Sequence, residues 1–539
     1  MGEKISNNLL SIFILLFLIL GGCLSSNQKA YKITEKADTS NISNDSIQER
    51  EAQNVDLNRS IIGLEKVQGS QFNEVLNGSV FDLKAAPVFL PLSSGSIRAY
   101  AYNTQIPGPI IKVKQGSTIY VNFTNNLDAP TTVHWHGIRL ENKYDGVPDI
   151  TQAAVAPGES FLYKLDFPDE GFYWYHPHIR EDIQQELGLY GSIMVEPRNS
   201  TYYNIVDEEK IIILDDILLD SKDVYPFKKN STNFAIMGRF GNTYLINGKI
   251  NYSLNVKKGE VIRFFILNTA NVRPFNLSFE NISLKIIGSD SGKYEKEFFA
   301  DSIIINPSER YIFEVLFNKS GELAIFNINP KEKNVLGKIN VQDGFGEVDQ
   351  LTFSKLRENK DISQSILPYI QYFNKTPDFN YTLDIEIPGS IPLDDITRSL
   401  LDKSEDGIEW TDAMPGMNKF SSSDRLTWLI KDNNTKQINM NASRYVPTSK
   451  VIKVKIYNDD QNSIHPMQHV IHIHGTRFLV LKNNDQINQN LVWKDSLLIP
   501  SGGSVELLLD FPNEGEWMMH CHIAEHLESG MMTSFKVSK

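Results

Sequence analysis

From about Val80 to its end, the chain is built of short stretches in which apolar and polar residues alternate, each bounded by Gly, Pro or Asn. Ile119-Tyr120-Val121-Asn122-Phe123 is representative. Its period of two puts Ile119, Val121 and Phe123 on one face, the mark of a half-buried strand, and Pro107-Gly108-Pro109 punctuates the approach to it. Strands at this spacing, separated by turn signals, predict β-sandwiches.

A repeat organises these strands. Leu165-Asp166-Phe167-Pro168-Asp169-Glu170-Gly171 runs on to His176-Pro177-His178, and Leu509-Asp510-Phe511-Pro512-Asn513-Glu514-Gly515 runs on to His520-Cys521-His522, at a constant offset of 344 residues. A weaker copy between them, from Pro307-Ser308-Glu309-Arg310 through Phe317 to Gly321 and Phe326, carries no histidine. Three related sandwich domains are therefore expected, at residues 76–197, 198–344 and 345–539, the last opening with an irregular connector over 345 to about 420.

The N-terminal region follows other rules. Leu9 to Leu20 is an apolar run after Lys4, too short to span a bilayer comfortably and suited to a signal-peptide core. It ends in Leu20-Gly21-Gly22-Cys23, which resembles a lipobox, so residues 1–23 are read as a lipoprotein-type signal peptide with Cys23 as the lipidated mature N-terminus. An ordinary signal peptide or an uncleaved anchor is the alternative, and export is expected in each case. Residues 24–75 are Ser-, Asn-, Gln-, Lys-, Glu- and Asp-rich and predict a disordered tether.

Composition narrows the partners. With 539 residues and 41% hydrophobic residues there is material for several cores, and a formal net charge of -13 argues against nucleic acid. Cys23 and Cys521 are the two cysteines of the chain, so no disulfide framework holds the fold. Sequons at Asn122, Asn251, Asn276 and Asn380 are mostly what an Asn-rich chain produces by chance, with glycosylation as the alternative.

Candidate chemistry concentrates in the histidines. The eleven fall into four clusters: His134 and His136; His176 and His178; His465, His469, His472 and His474; and His520, His522 and His526. Cys521, His526 and Met531 are a soft thiolate, an imidazole and a weak thioether, a set that suits a blue-copper site once another histidine joins it, and His469 stands ready. On a strand, Cys521 faces one way and its neighbours His520 and His522 the other. Four His-X-His pairs provide eight imidazoles, too many for one tetrahedral zinc and suited to a cluster of several coppers where the first and third domains meet.

These motifs, His134-Trp135-His136-Gly137, Trp174-Tyr175-His176-Pro177-His178, His469-Val470-Ile471-His472-Ile473-His474-Gly475 and His520-Cys521-His522 through Met531, resemble those of the three-domain multicopper oxidases. The resemblance implies an all-β fold of three consecutive cupredoxin-like Greek-key domains carrying four copper ions. It implies a type 1 copper on His469, Cys521, His526 and Met531, a type 2 copper on His134 and His472, and a type 3 pair on His136, His176, His178, His474, His520 and His522. The family often has Pro directly after the type 1 histidine. Here Pro466 follows His465, but the spacing to His472 favours His469 and leaves His465 without a ligand role.

The activity implied is one-electron oxidation of a reductant coupled to four-electron reduction of dioxygen to water. That reduction consumes protons, and Asp145 and Glu525 stand where similar oxidases carry proton-delivering carboxylates, although Asp145-Gly146 is also a good turn dipeptide and Glu525 a plausible solvated helix residue. Laccase-like oxidation of phenols or aromatic amines is the favoured expectation. A metallo-oxidase for cuprous, ferrous or manganous ions, a non-enzymatic copper-binding protein and a copper nitrite reductase are the alternatives weighed. Met414, Met417, Met518, Met519 and Met532 read as core filler ahead of a copper-guiding path.

Overall fold

In a computed structural model of the protein the described residues are 60–539, less 93–94, 222, 230, 388–404, 413–425, 462 and 464. The signal peptide, Cys23 and the tether up to residue 59 lie outside them. Among the described residues no helix is long and apolar enough to cross a membrane.

Apart from a two-stranded ribbon of Leu219–Asp220 and Asp223–Val224, the described strands form three pairs of sheets, met in succession along the chain. The first pair has strands Glu65–Lys66, Val80–Leu92, Thr118–Asn125 and Ser160–Asp166 in one sheet, with Gly95–Tyr102 added on Val80–Leu92. Its other sheet runs Phe72–Glu74, Ile110–Lys114, Gly191–Glu196, Gly171–His176, His134–His136. In Thr118–Asn125, residues Ile119, Val121 and Phe123 are fully buried and alternate with half-buried neighbours, as their period of two requires. The second pair combines a six-stranded sheet around Val261–Asn268 with a five-stranded one around Gly321–Ile328. The third combines a seven-stranded sheet around Ile452–Asn458 with the five-stranded order Arg444–Pro447, Met532–Ser538, Gly515–Cys521, His469–Ile473, Ser496–Ile499.

Two expectations are corrected. The tether does not extend to residue 75: Glu65–Lys66 pairs in parallel with Val88 and Phe89, and Phe72–Glu74 with Ile110–Lys112. Edge pairing uses backbone groups, so these exposed strands show no apolar alternation to read. The stretch 345–420 is not an irregular connector throughout either. It holds helices Gln350–Ser354 and Lys360–Ile366, and Phe379–Glu386 is a strand of the third seven-stranded sheet, paired with Thr427–Asp432 and Ile452–Asn458.

The ligand-bearing strands sit in equivalent places. His134 lies opposite His176 in the first domain, and His472 opposite His520 in the third. Both strands that carry the repeated motif, Gly171–His176 and Gly515–Cys521, are buried on both faces at their histidine ends. Gly137 and Gly475 end the two His-X-His-Gly motifs at φ of +84° and +66°, a left-handed turn in which a β-carbon would strike Asp495 and Trp517 respectively.

Candidate metal centres

Eight imidazoles converge between the first and third domains. His134 stacks on His474 at 3.9 Å and His136 on His472 at 3.7 Å, so each domain's first pair is laid against the other's. Donor atoms of three histidines lie within 4.8 Å of one another in each of three groups: His134, His136 and His472; His136, His176 and His522; His178, His474 and His520. All eight are buried.

One ring nitrogen of most of these histidines is tied outward and the other left facing the nest. His134 Nδ1 donates to the carbonyl of Asp145 at 2.8 Å, His472 Nδ1 to that of Asp495 at 2.7 Å, and His176 Nδ1 to that of Pro177 at 2.8 Å. Nε2 of each has no partner, and His178 Nε2, His136 Nδ1 and both nitrogens of His522 are likewise unpaired. Burial holds His134 down to about 3 and His136, His176, His178, His472, His474 and His522 well below the ordinary imidazole value. Buried, neutral, orphaned nitrogens aimed at one another are costly unless a cation accepts them, and neutral imidazole is the metal-binding form.

On the far side of the ligand strand lies a different donor set. Cys521 Sγ is 3.6 Å from His469 Nδ1 and 3.8 Å from His526 Nδ1, and these two nitrogens are 3.2 Å apart. Met531 is fully buried beside them, its amide donating to the carbonyl of His526 and its carbonyl accepting from the amide of Cys521, both at 3.1 Å. Burial pushes the Cys521 thiol up to about 12, so a thiolate here requires a bound cation. One thiol and two imidazoles in a tight triangle suit a single copper ion, as the nest of eight suits several.

His465 is buried and faces Trp428 at 6.3 Å between ring centres, but it belongs to none of the donor groups. Asp145 is buried, and its Oδ2 accepts from His474 Nδ1 at 2.8 Å, so it is more than a turn residue. Burial raises its carboxyl well above the usual range. Glu525 is no solvated helix residue: burial pushes it up to about 8, and Asn271 donates to its Oε1 at 3.2 Å.

Family profiles described as multicopper oxidase match residues 90–200, 208–341 and 409–539, one to each pair of sheets. The chain belongs to the multicopper oxidase family. It is an oxidoreductase of a family that uses copper, dioxygen and a reductant. Multicopper oxidase mco of Staphylococcus aureus is 27% identical over 446 residues, 81% of this chain and 83% of that protein. Multicopper oxidase MmcO of Mycobacterium tuberculosis is 26% identical over 487 residues, 84% of this chain and 85% of that protein. Among solved structures, a Campylobacter jejuni multicopper oxidase described as a metallo-oxidase superposes with a TM-score of 0.66 at 20% identity, over 89% of this chain and 98% of that one.

Several parts of this multicopper oxidase's site had no sequence signal. Trp428 lies tilted over His526 with ring centres 4.2 Å apart, and its Nε1 donates to the carbonyl of Ala235 at 2.7 Å. His526 Nε2 donates to the next carbonyl, Ile236, at 3.1 Å. Both acceptors lie in the helix Ser231–Met237 of the histidine-free domain. Asp495 and Ser496 meet His136 Nε2 at 3.1 and 3.0 Å. Glu181 is fully buried with Oε1 3.4 Å from His178 Nδ1. The repeat offset was the one available hint for Glu181, which stands 344 residues before Glu525 and is its counterpart.

Proposed function

We propose that this multicopper oxidase oxidises a reduced metal ion, cuprous, ferrous or manganous, one electron at a time and reduces dioxygen to water. His469, Cys521, His526 and Met531 would hold a type 1 copper, His134 and His472 a type 2 copper, His136, His176 and His522 one type 3 copper, and His178, His474 and His520 the other. Bound there, copper supplies reversible one-electron chemistry and the place where dioxygen is reduced. Cys521 joins the two donor sets through its peptide neighbours His520 and His522, which is the shortest covalent link between them. Asp145, on His474, and Glu525, beside His526, are the buried carboxyls that would hold protons for the reduction. The lipobox-like ending at Cys23 supports an exported protein anchored by lipid on the extracytoplasmic face of a membrane.

The observation that carries the choice of reductant is the closure over His526. Its Nδ1 points at Cys521, so Nε2 is the ring's outward atom, and that atom is fully buried and bonded to the carbonyl of Ile236. An aromatic ring has no edge of His526 to meet, whereas a small ion needs no stacking surface. The laccase-like reading of phenols or aromatic amines therefore takes second place. The test is oxygen uptake by the copper-loaded protein with cuprous, ferrous and manganous ions against a substituted phenol and an aromatic amine. A metal ion should exceed both organic reductants by about 10-fold or more in kcat/KM, a difference of about 1.4 kcal/mol in barrier. Faster phenol oxidation would overturn the choice of reductant, and no uptake from a four-copper protein would overturn the oxidase reading altogether.

A further inference from the structure

Two aspartates hold the histidine nest from opposite sides in the same manner. Asp145 takes His134 on its carbonyl and reaches across to His474 with its carboxylate. Asp495 takes His472 on its carbonyl and reaches across to His136 with its carboxylate. His134 and His472 open their respective His-X-His pairs, and His136 and His474 close them, so the two aspartates are related as the two domains are.

Their surroundings break that equivalence. Asp145 Oδ1 accepts no hydrogen bond and lies 3.5 Å from His134 Nδ1. Asp495 is clamped: Arg310 Nη1 donates to Oδ1 at 2.5 Å and Nη2 to Oδ2 at 2.6 Å, the two-pronged geometry that a guanidinium gives and an ammonium does not. Arg310 is itself fully buried and fixed, donating through Nε to the carbonyl of Phe172 in the first domain at 2.8 Å and through its amide to Asp290 Oδ1 at 2.9 Å. It stands at the start of strand Arg310–Leu316, in the domain that has no histidine.

Resting on the trinuclear assignment above, we infer that Arg310 is a positioning residue of the copper cluster, through which the histidine-free domain locks Asp495 and thereby orients His136 and His472. Held at both oxygens, Asp495 is a rigid strut. Asp145 has no such clamp: its Oδ1 meets only His134 Nδ1, at 3.5 Å, and accepts no hydrogen bond. Outer partners of this kind commonly change metal affinity by about 10- to 100-fold when removed.

The experiment compares copper-loaded full-length protein with its Arg310→Gln and Arg310→Lys variants, reading copper content under chelator challenge, the electron spin resonance signal of the type 2 centre and the visible band of the type 1 centre. Arg310→Gln should keep the visible band, because the Cys521 side of the strand does not touch this clamp, while losing type 2 copper about 10-fold more readily and showing an altered type 2 signal. Arg310→Lys, with the charge but not the fork, should fall between. Arg310→Gln protein with a wild-type type 2 signal and copper retention overturns the proposal. Should that variant not fold, Arg310→Lys decides: an unaltered type 2 signal overturns the proposal and a shifted one supports it. Absence of any type 2 signal from the wild-type protein would sink the trinuclear assignment itself, a failure visible before either variant is measured.

Discussion

The first and third domains present the same strand pair to the imidazole nest and different chemistry behind it. Register is shared, His134 against His176 and His472 against His520. Thr131-Thr132-Val133-His134-Trp135-His136-Gly137 and His469-Val470-Ile471-His472-Ile473-His474-Gly475 correspond residue by residue, as do His176-Pro177-His178 and His520-Cys521-His522. Where the third domain has His469, Cys521 and His526, the first therefore has Thr131, Pro177 and, by the same offset of 344 residues, Asp182. Thr131 Oγ1 donates to Gln184 Oε1 at 2.7 Å, so that side of the first domain is filled by a satisfied polar contact and offers a metal no soft donor. The comparison teaches that a strand's two faces can carry separate chemistry: one face bears imidazoles in both domains, the other a donor triangle in the third domain.

The largest expected effect comes from breaking the feature that differs. Cys521→Ser should abolish the intense visible absorption and stop oxygen uptake while the imidazole-held copper stays bound, as copper analysis and spin resonance would show. Loss of copper from the imidazole nest as well would mean that the two faces do not act independently. Next, Asp145→Asn and Glu525→Gln should each lower kcat by about 100-fold with copper content unchanged, the size expected for removing a positioned proton donor. Full turnover in both variants would leave the dioxygen chemistry without a role for either carboxyl.

Trp428→Phe deletes the Nε1 bond to Ala235 and loosens the cover over His526. It should cost about 1 kcal/mol in denaturant unfolding and raise phenol oxidation relative to metal-ion oxidation in the same oxygen-uptake assay. An unchanged ratio would show that the Ser231–Met237 helix does not decide which reductant reaches the site. The smallest effect is expected from Pro177→Cys, which restores a thiol to the first domain without its imidazoles. Visible spectra should show no second blue band, and one that appeared would contradict the account of the Thr131–Gln184 contact as closing that face.

Much of this was legible along the chain. Alternation at Ile119, Val121 and Phe123 announced a half-buried strand because the pleat has a period of two whatever surrounds it. The donor groups were legible for a related reason: an His-X-His pair on a strand puts both imidazoles on one face without any tertiary information, and the repeat said which strands correspond. The short strands Glu65–Lys66 and Phe72–Glu74 were not legible, since they are held through their backbones and leave their side chains exposed.

What the sequence by itself determined is the chemistry of the donors and their division between two faces of Cys521's strand, because both follow from residue type and local geometry. Tertiary structure alone decided which imidazoles from different domains meet, that Arg310 clamps Asp495 while Asp145 has no such clamp, and that a helix of the histidine-free domain closes over His526. Those contacts join residues up to hundreds of positions apart, and whether they form depends on how three sandwiches dock, which no local pattern records.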